Sequence, residues 1–385
     1  MRIEQLVLDG TLDAAGMTAA LAPLAAGKPS WLLVFGHLSF FADGARAASW
    51  RTQFPATVTL GCSTAGEIGP AGVSDDRCIV TAVWFGKVHL AAAQTTLDTM
   101  DDSFAAGERL GAQLCADGVP RAVMVLGPGV AINGTALVDG MASVLGQAVP
   151  ITGGLAGDGG AFERTWTLGP HGVGERIVAA VGFRGEGLRH AHGSFGGWQP
   201  FGPARKVTRC DGNVLFELDG EPALAIYKKY LGEYASQLPA SGLLFPFAML
   251  GSDQRGDGLI RTILGVDEAA GSLTLAGAIE SGGYLKLMHA STDRLIDGAE
   301  AAADATQAMA PAAGAGNLAV LVSCVGRKLV MGDRVDEEVE AVAEVLGRGT
   351  RRTGFYSYGE ISPSAPGVGC RLHNQTMTIT RIGEA

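Results

Sequence analysis

The stretch GCSTAGEI (residues 61–68) returns late in the chain as GFYSYGEI (354–361), each a glycine followed by variable residues that close on Gly-Glu-Ile. A strand-length apolar run leads into each copy: TVTLG into CSTAGEI, and RRTGF into YSYGEI. β-Branched runs bounded by glycine read as strands, and the polar residues after them as loops. Working outward from these two loops, one order of elements recurs three times. The first block holds WLLVFG (31–36), a helix around 43–53, the strand into CSTAGEI, and CIVTAVWF (78–85). The second holds RAVMVLG (121–127), a helix from about Thr135 to Leu145, VPITGG running into LAGDGG, and RIVAAVGF (176–183). The third holds LAVLVSC (318–324), a helix from about Asp336 to Leu346, the strand into YSYGEI, and HNQTMTITRI (373–382).

Each block is a β-α-β unit with one further strand, which predicts an α/β fold of sheets covered by helices. Residues 205–300 break the pattern. NVLFELDGEPALAIYKKYLGEY reads as a strand, an Asp-Gly turn and a helix opened by Pro, with Leu224, Tyr227 and Leu231 on one face. The strands LIRTILGVD and SLTLAGAI follow, joined by a turn at EAAG, so this stretch is a fourth unit. Gly and Pro concentrate in GGWQPFGPAR and place a boundary near residue 204. The economical description is two similar sheet-and-helix domains, 1–204 and 205–385.

A chain of 385 residues is long enough for two domains and a substantial core, and 47% hydrophobic residues with 57 glycines describe a globular protein with many tight turns. The net charge of −10 argues against a partner that is nucleic acid or an anionic membrane, both of which need a basic face. MRIEQLVLDGTLDAAG lacks the pattern of a signal peptide, and no apolar run reaches the roughly 18 residues of a bilayer span, so the expected location is the cytoplasm. Cys62, Cys78, Cys115, Cys210, Cys324 and Cys370 include no Cys-x-x-Cys pair, which fits reduced thiols rather than a disulfide framework or a zinc cage.

Several stretches carry candidate chemistry. GPGVAINGT (127–135) leads from a glycine-rich turn toward a helix N-terminus, as a phosphate site would, but lacks the P-loop lysine; the plainer reading is that Asn133 or Thr135 caps the helix. In GGLAGDGG (153–160), Gly153 and Gly154 permit close ligand approach and Asp158 is a lone acid, serving either a ligand or a surface turn. Glu67 and Glu360 hold matching positions. They would border one cleft as acid–base groups or as acceptors for a cationic or amide ligand, or else each would accept hydrogen bonds from its own loop. With Cys62, Ser63, Thr64, Tyr358, His373, Asn374 and Thr376 they make up the expected binding rim. Read as one strand, 373–382 projects His373 to one side and Asn374 and Thr376 to the other. His190 and His192, two apart on a strand, share a face as metal ligands would. Cys324 lies near Arg327, an arrangement that lowers a thiol pKa. An enzyme reading would take Cys62 or Cys324 as nucleophile and Glu67, Glu360 or His373 as base, although His-Glu-x-x-His and Gly-x-Ser-x-Gly are both absent.

GCSTAGEI, GGLAGD, NVLFELDGEPAL, LVSCVGR, GFYSYGEI and HNQTMTIT occur in an order that resembles the FIST family, across both its N-terminal and C-terminal domains. The resemblance implies a small-ligand-binding sensory protein of signal transduction. Stand-alone bacterial members are similar to the nitric-oxide-sensing NosP type, which implies non-covalent haem b as the receptor and a histidine kinase as partner. On that reading His190 or His192 would be the first candidate axial ligand and His373 the second, with Phe195, Trp198 and Phe201 beside the porphyrin. A small organic ligand bound without haem is the alternative sensor.

Overall fold

The computed structural model describes residues 1–254, 256–310, 317–347, 349–364 and 367–385. The first unit runs β1 (Arg2–Asp9), α1 (Ala14–Ala26), β2 (Trp31–Gly36), α2 (Ser39–Ala42), α3 (Gly44–Gln53) and β3 (Val58–Ser63). A short hairpin, β4 (Glu67–Gly69) and β5 (Gly72–Ser74), precedes β6 (Arg77–Trp84). The second unit repeats this order with β7 (His89–Thr96), α4 (Ser103–Leu114), β8 (Ala122–Gly127), α5 (Gly134–Leu145) and β9 (Ile151–Leu155). Its hairpin is β10 (Thr167–Gly169) and β11 (Gly172–Gly174), and β12 (Ile177–Arg184) closes it.

The third unit opens with β13 (Leu188–Phe195) and is then interrupted by the fourth-unit segment that the sequence singles out. That insertion comprises β14 (Gln199–Asp211), β15 (Val214–Leu218), β16 (Glu221–Pro222), α6 (Ala223–Leu231), β17 (Phe247–Leu250), β18 (Gly256–Arg261), β19 (Ile263–Asp267), β20 (Ser272–Leu275) and β21 (Tyr284–His289). The third unit resumes with α7 (Thr292–Met309), β22 (Asn317–Cys324), α8 (Val325–Met331), α9 (Asp336–Leu346) and β23 (Thr350–Ser357). It ends with β24 (Gly359–Pro363), β25 (Cys370–His373) and β26 (Met377–Glu384). Residue 204, the expected boundary, lies inside β14.

The mixed α/β class is as the sequence predicts, and the pairing adds what repeats alone do not show. Each unit gives its short hairpin to another unit's sheet. Strand β4 pairs with β23, with Glu67 opposite Phe355; β24 pairs with β9, with Glu360 opposite Gly154; β10 pairs with β3, with Thr167 opposite Cys62. Three six-stranded sheets result, ordered β1-β6-β2-β3-β10-β11, β25-β24-β9-β8-β12-β7 and β13-β26-β22-β23-β4-β5. The exchange closes a cycle in which first, second and third units are each held by both neighbours.

Parallel pairs β2/β3, β8/β9 and β22/β23 form the sheet centres. Strands buried on both faces need continuous apolar runs, which is what WLLVFG, AVMVLG and NLAVLVSC supply. Their inner faces share one core, where Phe35 stacks on Phe355 at 4.8 Å between ring centroids and Trp31 meets Phe183 edge-on at 5.2 Å. Helices seal the outer faces: Met17, Leu21 and Trp50 on the first sheet, Leu110, Leu137 and Met141 on the second, Ala299, Ala302 and Val342 on the third. Helices α4 and α5 cross closely because Gly107 and Gly140 lie against the Leu137 and Phe104 carbonyls, where a Cβ would overlap backbone.

The insertion is an antiparallel sheet ordered β18-β17-β21-β14-β15-β20-β19, with β16 paired on β15. It packs Val207, Leu215, Leu224, Tyr227 and Ile263 into a core of its own. One buried ion pair ties down both of its chain junctions. The Arg327 guanidinium donates to the carbonyls of Gly196, before the insertion, and Leu295, after it (2.8 Å), and its Nη2 lies 2.7 Å from Glu338 Oε2. Glu338 Oε1 accepts from Ser323 Oγ (3.0 Å) and Tyr356 OH (2.7 Å). These hydrogen bonds satisfy both ions and offset the desolvation cost of burying them.

Candidate functional site

Between the second unit and the insertion lies a cavity of about 780 Å³. One wall is the stretch 129–134 that enters α5, and a second is Gly160–Phe162. The insertion adds Leu243, Ile263 and Leu275; the third unit adds Tyr358, Leu372 and Asn374. The expected phosphate-like loop GPGVAINGT therefore faces a cavity, with Ala131 at φ 55°. Asn133 is the helix cap, its Oδ1 accepting from Ala136 N at 3.0 Å. Among the described residues, Lys, Arg, His and Cys are absent from the lining of the cavity, and Asp101 at the rim is the one charged group there.

The loop between β9 and β10 is organised by Asp158. Its Oδ1 accepts from Phe162 N and its Oδ2 from Glu163 N and Arg164 N, each at 2.8 Å, and Oδ1 also accepts a hydrogen bond from the Tyr358 hydroxyl. Burial pushes the Asp158 pKa up, but these four donors outweigh it and hold the carboxyl below its usual value. Tyr358 in turn stacks on Phe162 with centroids 4.0 Å apart, giving this wall an aromatic face. Burial and the bond to Asp158 push the Tyr358 pKa up, so the phenol stays protonated. Ser63 pins the same loop to the first unit: its Oγ donates to Gly157 O (2.7 Å) and accepts from Trp166 N (2.9 Å).

Asn374 is 2% exposed and lines the cavity, and its Oδ1 has no hydrogen-bond donor. It lies in a turn, contrary to the expected strand 373–382. Residue Glu360 of β24 pairs with His373 of β25, whereas β26 pairs with β22 and β13, so the chain must change sheets at 374–376, where Gln375 adopts φ 64°. Asn374 and Thr376 therefore do not alternate with His373 across a pleat. His373 Nε2 bonds to Ser362 O at 2.9 Å.

Glu67 and Glu360 do not line the cavity. Thr64 Oγ1 donates to Glu67 Oε1 (2.6 Å), while Ser74 Oγ (3.3 Å) and Arg77 N (3.2 Å) reach Oε2. Ser357 Oγ donates to Glu360 Oε1 (2.6 Å), with Thr376 N (3.1 Å) and Oγ1 (3.0 Å) on Oε2. Each carboxyl is thus absorbed by its own loop and the chain next to it. Burial raises Glu67 to about 7 and Glu360 to about 8.

Burial pushes the Cys62 and Cys324 thiols up; at Cys324 the Glu360 carboxyl adds to it, and the lowering by Arg327, which is paired with Glu338, is outweighed. Gly153 and Gly154 sit in β9, Gly153 at φ 136°, where a Cβ would overlap the Val125 backbone. Sequence reasoning missed the whole wall from the insertion, because Leu243, Ile263 and Leu275 look like ordinary core residues; a break in an otherwise regular repeat was the available signal.

The residues present do not fit a haem. His190 and His192 lie on β13 with ring centroids 6.0 Å apart, opposite Ile382 and Thr380. Burial and the neighbouring His192 push His190 down to about 3. Neither lines the large cavity, whose walls, among the described residues, offer no His or Cys as an axial ligand and no Lys or Arg for propionates. Among the described residues, no group of three or more His, Cys, Asp or Glu is placed to hold a metal ion.

The fold is a cycle of three hairpin-exchanging α/β units with an antiparallel insertion and a ligand-sized cavity beside it. The FIST N domain family model matches residues 30–221 and the FIST C domain model matches 223–363; the chain belongs to the FIST family. FIST domains are associated with sensing in signal transduction. An uncharacterized protein of Mycobacterium bovis is 27% identical over 252 residues, covering 64% of this chain and 60% of that protein. Uncharacterized proteins of Mycobacterium tuberculosis (28% over 200 residues, 50% of this chain and 51% of that one) and Methanocaldococcus jannaschii (34% over 98 residues, 25% and 19%) also match. The match spans less than two thirds of each relative's own length. Among solved structures, two cyanuric acid hydrolases, one from A. caulinodans, align over 99% and 100% of this chain and 98% and 99% of theirs. Their identities of 10% and 13% and TM-scores of 0.38 and 0.36 are too distant to transfer an activity. Among the described residues, no helix is long and apolar enough to cross a membrane.

Proposed function

We propose that this FIST protein is a sensor of a small, largely apolar organic molecule, bound without haem in the cavity between the second unit and the insertion. The observation that carries this reading is the buried Asn374 Oδ1, left without a donor among the described residues in the wall of a cavity of about 780 Å³. An unpaired buried acceptor costs about 1–3 kcal/mol, which a ligand N–H or O–H would recover. A route to a response begins beside it. Gln375 Nε2 donates to Leu243 O of the insertion (2.8 Å), and Gln375 O accepts from Trp198 Nε1 (2.8 Å) at the junction that Arg327 clamps. A ligand at Asn374 would press on both contacts and change the face shown to a signalling partner, for which the family resemblance suggests a histidine kinase.

The test is fluorescence titration with Nile red, a neutral apolar dye. The expected result is a blue-shifted, saturable emission that Ala276→Trp, which fills the cavity, abolishes without lowering the melting temperature. Dye binding that Ala276→Trp leaves untouched would overturn the assignment of the site. Hemin should produce no saturable Soret band; one that appears on titration would favour the haem reading.

A further inference from the structure

The chemistry of the walls narrows the ligand class, an inference that rests on the cavity being the binding site. Two polar features of opposite sense are left unsatisfied in a mixed lining that also carries Asn133, Asn213 and Tyr358. One is an acceptor, the unpartnered Oδ1 of Asn374. The other is a donor edge, the N-terminus of the twelve-residue helix α5. A helix leaves its first N–H groups without intrahelical partners and carries partial positive charge there. Asn133 takes the Ala136 N–H; among the described residues the N–H groups of Gly134 and Thr135 have no acceptor, and the Thr135 hydroxyl is buried without a partner. Gly134 itself lines the cavity, with no Cβ to cover the backbone.

The charge balance excludes strong ions. A buried phosphate or carboxylate would need a cation, and among the described residues none lines the cavity, so the helix end would have to repay several kcal/mol of desolvation. A cationic ligand fares no better, because Asp158 is already saturated by three backbone N–H groups and the Tyr358 hydroxyl, and Asp101 is exposed at the rim. What remains is a neutral group that donates and accepts at once. We infer that the ligand is a neutral carboxamide or lactam on an apolar body, its N–H given to Asn374 Oδ1 and its carbonyl oxygen received at the N-terminus of α5. The stacked Phe162–Tyr358 pair and the Leu243, Ile263 and Leu275 side chains would hold the apolar body.

Octanamide and octanoate, alike except for the charged head, test this by calorimetric or NMR titration of the full chain at pH 7.5. Octanamide should bind, and octanoate should bind at least about tenfold more weakly, reflecting an uncompensated carboxylate. Asn374→Leu should weaken octanamide roughly fivefold to tenfold, the value of one hydrogen bond to a buried acceptor. Asn374→Ser, which keeps a neutral acceptor oxygen, should lose less than Asn374→Leu, and thermal melts of both variants without ligand read folding separately. Octanoate binding as tightly as octanamide, or equal octanamide affinity in wild type and Asn374→Leu, overturns the ligand class. Nile red bound while octanamide is not also overturns it and leaves the cavity standing as a site. Failure of Nile red, octanamide and octanoate together brings down the cavity reading itself.

Discussion

The first and third units close the approach to their exchanged hairpins tightly, through residues 64–66 and the single residue Tyr358, whereas the second unit spends residues 156–166 on the same passage. In the tight pair, a buried glutamate absorbs the loop's donors: Glu67 takes Thr64, Ser74 and Arg77 N, and Glu360 takes Ser357 and Thr376. In the long loop the place of the glutamate belongs to Thr167, whose Oγ1 is buried without a partner, and the acid has moved to Asp158. The difference teaches that one topological position is braced by a glutamate in the first and third units and lengthened into a cavity wall in the second, where Tyr358 of the third unit joins it. Symmetry is broken where the insertion provides a second wall.

The largest test of that contrast removes a brace. Glu360→Ala strands Ser357 Oγ, Thr376 N and Thr376 Oγ1 in a fully buried site and should cost about 4 kcal/mol in urea unfolding, from three unpaired donors and a small void. Asp158→Ala should cost about 2 to 3 kcal/mol, less because Glu163 and Arg164 are exposed and water can reach their N–H groups. It should weaken Nile red as well, since the Gly160–Phe162 wall loses its anchor. If Glu360→Ala lowered dye affinity beyond what its stability loss explains, while Asp158→Ala did not, the roles of the two loops would be reversed.

Titration sharpens the same contrast. Carboxyls raised to about 7 and 8 in the fold, against about 4.5 unfolded, keep protons that the unfolded chain has released. Their contribution is therefore full below the unfolded value and is lost as pH rises through the folded values. His190, lowered to about 3 by burial and by His192, acts in the opposite direction, because its contribution is present above the unfolded value near 6.5 and lost on acidification. Between pH 6.5 and 8 the glutamates outweigh the residual histidine contribution, and stability should fall by about 2 kcal/mol. Urea midpoints of a Glu67→Gln, Glu360→Gln double variant should lose most of that slope. A slope that survives both substitutions would mean that these carboxyls are ionised in the fold.

Much of this architecture was legible beforehand, for local reasons. The helices at 44–53, 134–145 and 336–346 follow from apolar spacing and glycine punctuation, and they fall within a residue of the expected spans. Hairpin exchange was not legible, because Gly-Glu-Ile read as the close of a polar loop and not as a short strand with Glu67 opposite Phe355 of another unit. Of the expected rim, Tyr358 and Asn374 reach the cavity, Asp158 and Ser63 hold its loop, and Cys62 faces the shared core. GPGVAINGT announced a helix N-terminus, but only the folded arrangement shows that no cation among the described residues lines the cavity with it, which turns the reading from phosphate toward a carbonyl.

The smallest effect belongs to the position where the units differ most plainly. Thr167 pairs with Cys62 across the exchanged hairpin and is fully buried, and its hydroxyl has no partner. A buried hydroxyl without a hydrogen bond is a cost carried by the fold, and valine has nearly the same shape without it. Thr167→Val should therefore leave the protein as stable or up to about 1 kcal/mol more so, measured as an upward shift of the urea midpoint with an unchanged slope. The equivalent change at Glu360 must destabilise, since there the polar group holds three donors. A loss of more than about 1 kcal/mol at Thr167 would show that its hydroxyl is held in solution, and that the second unit keeps a brace of its own.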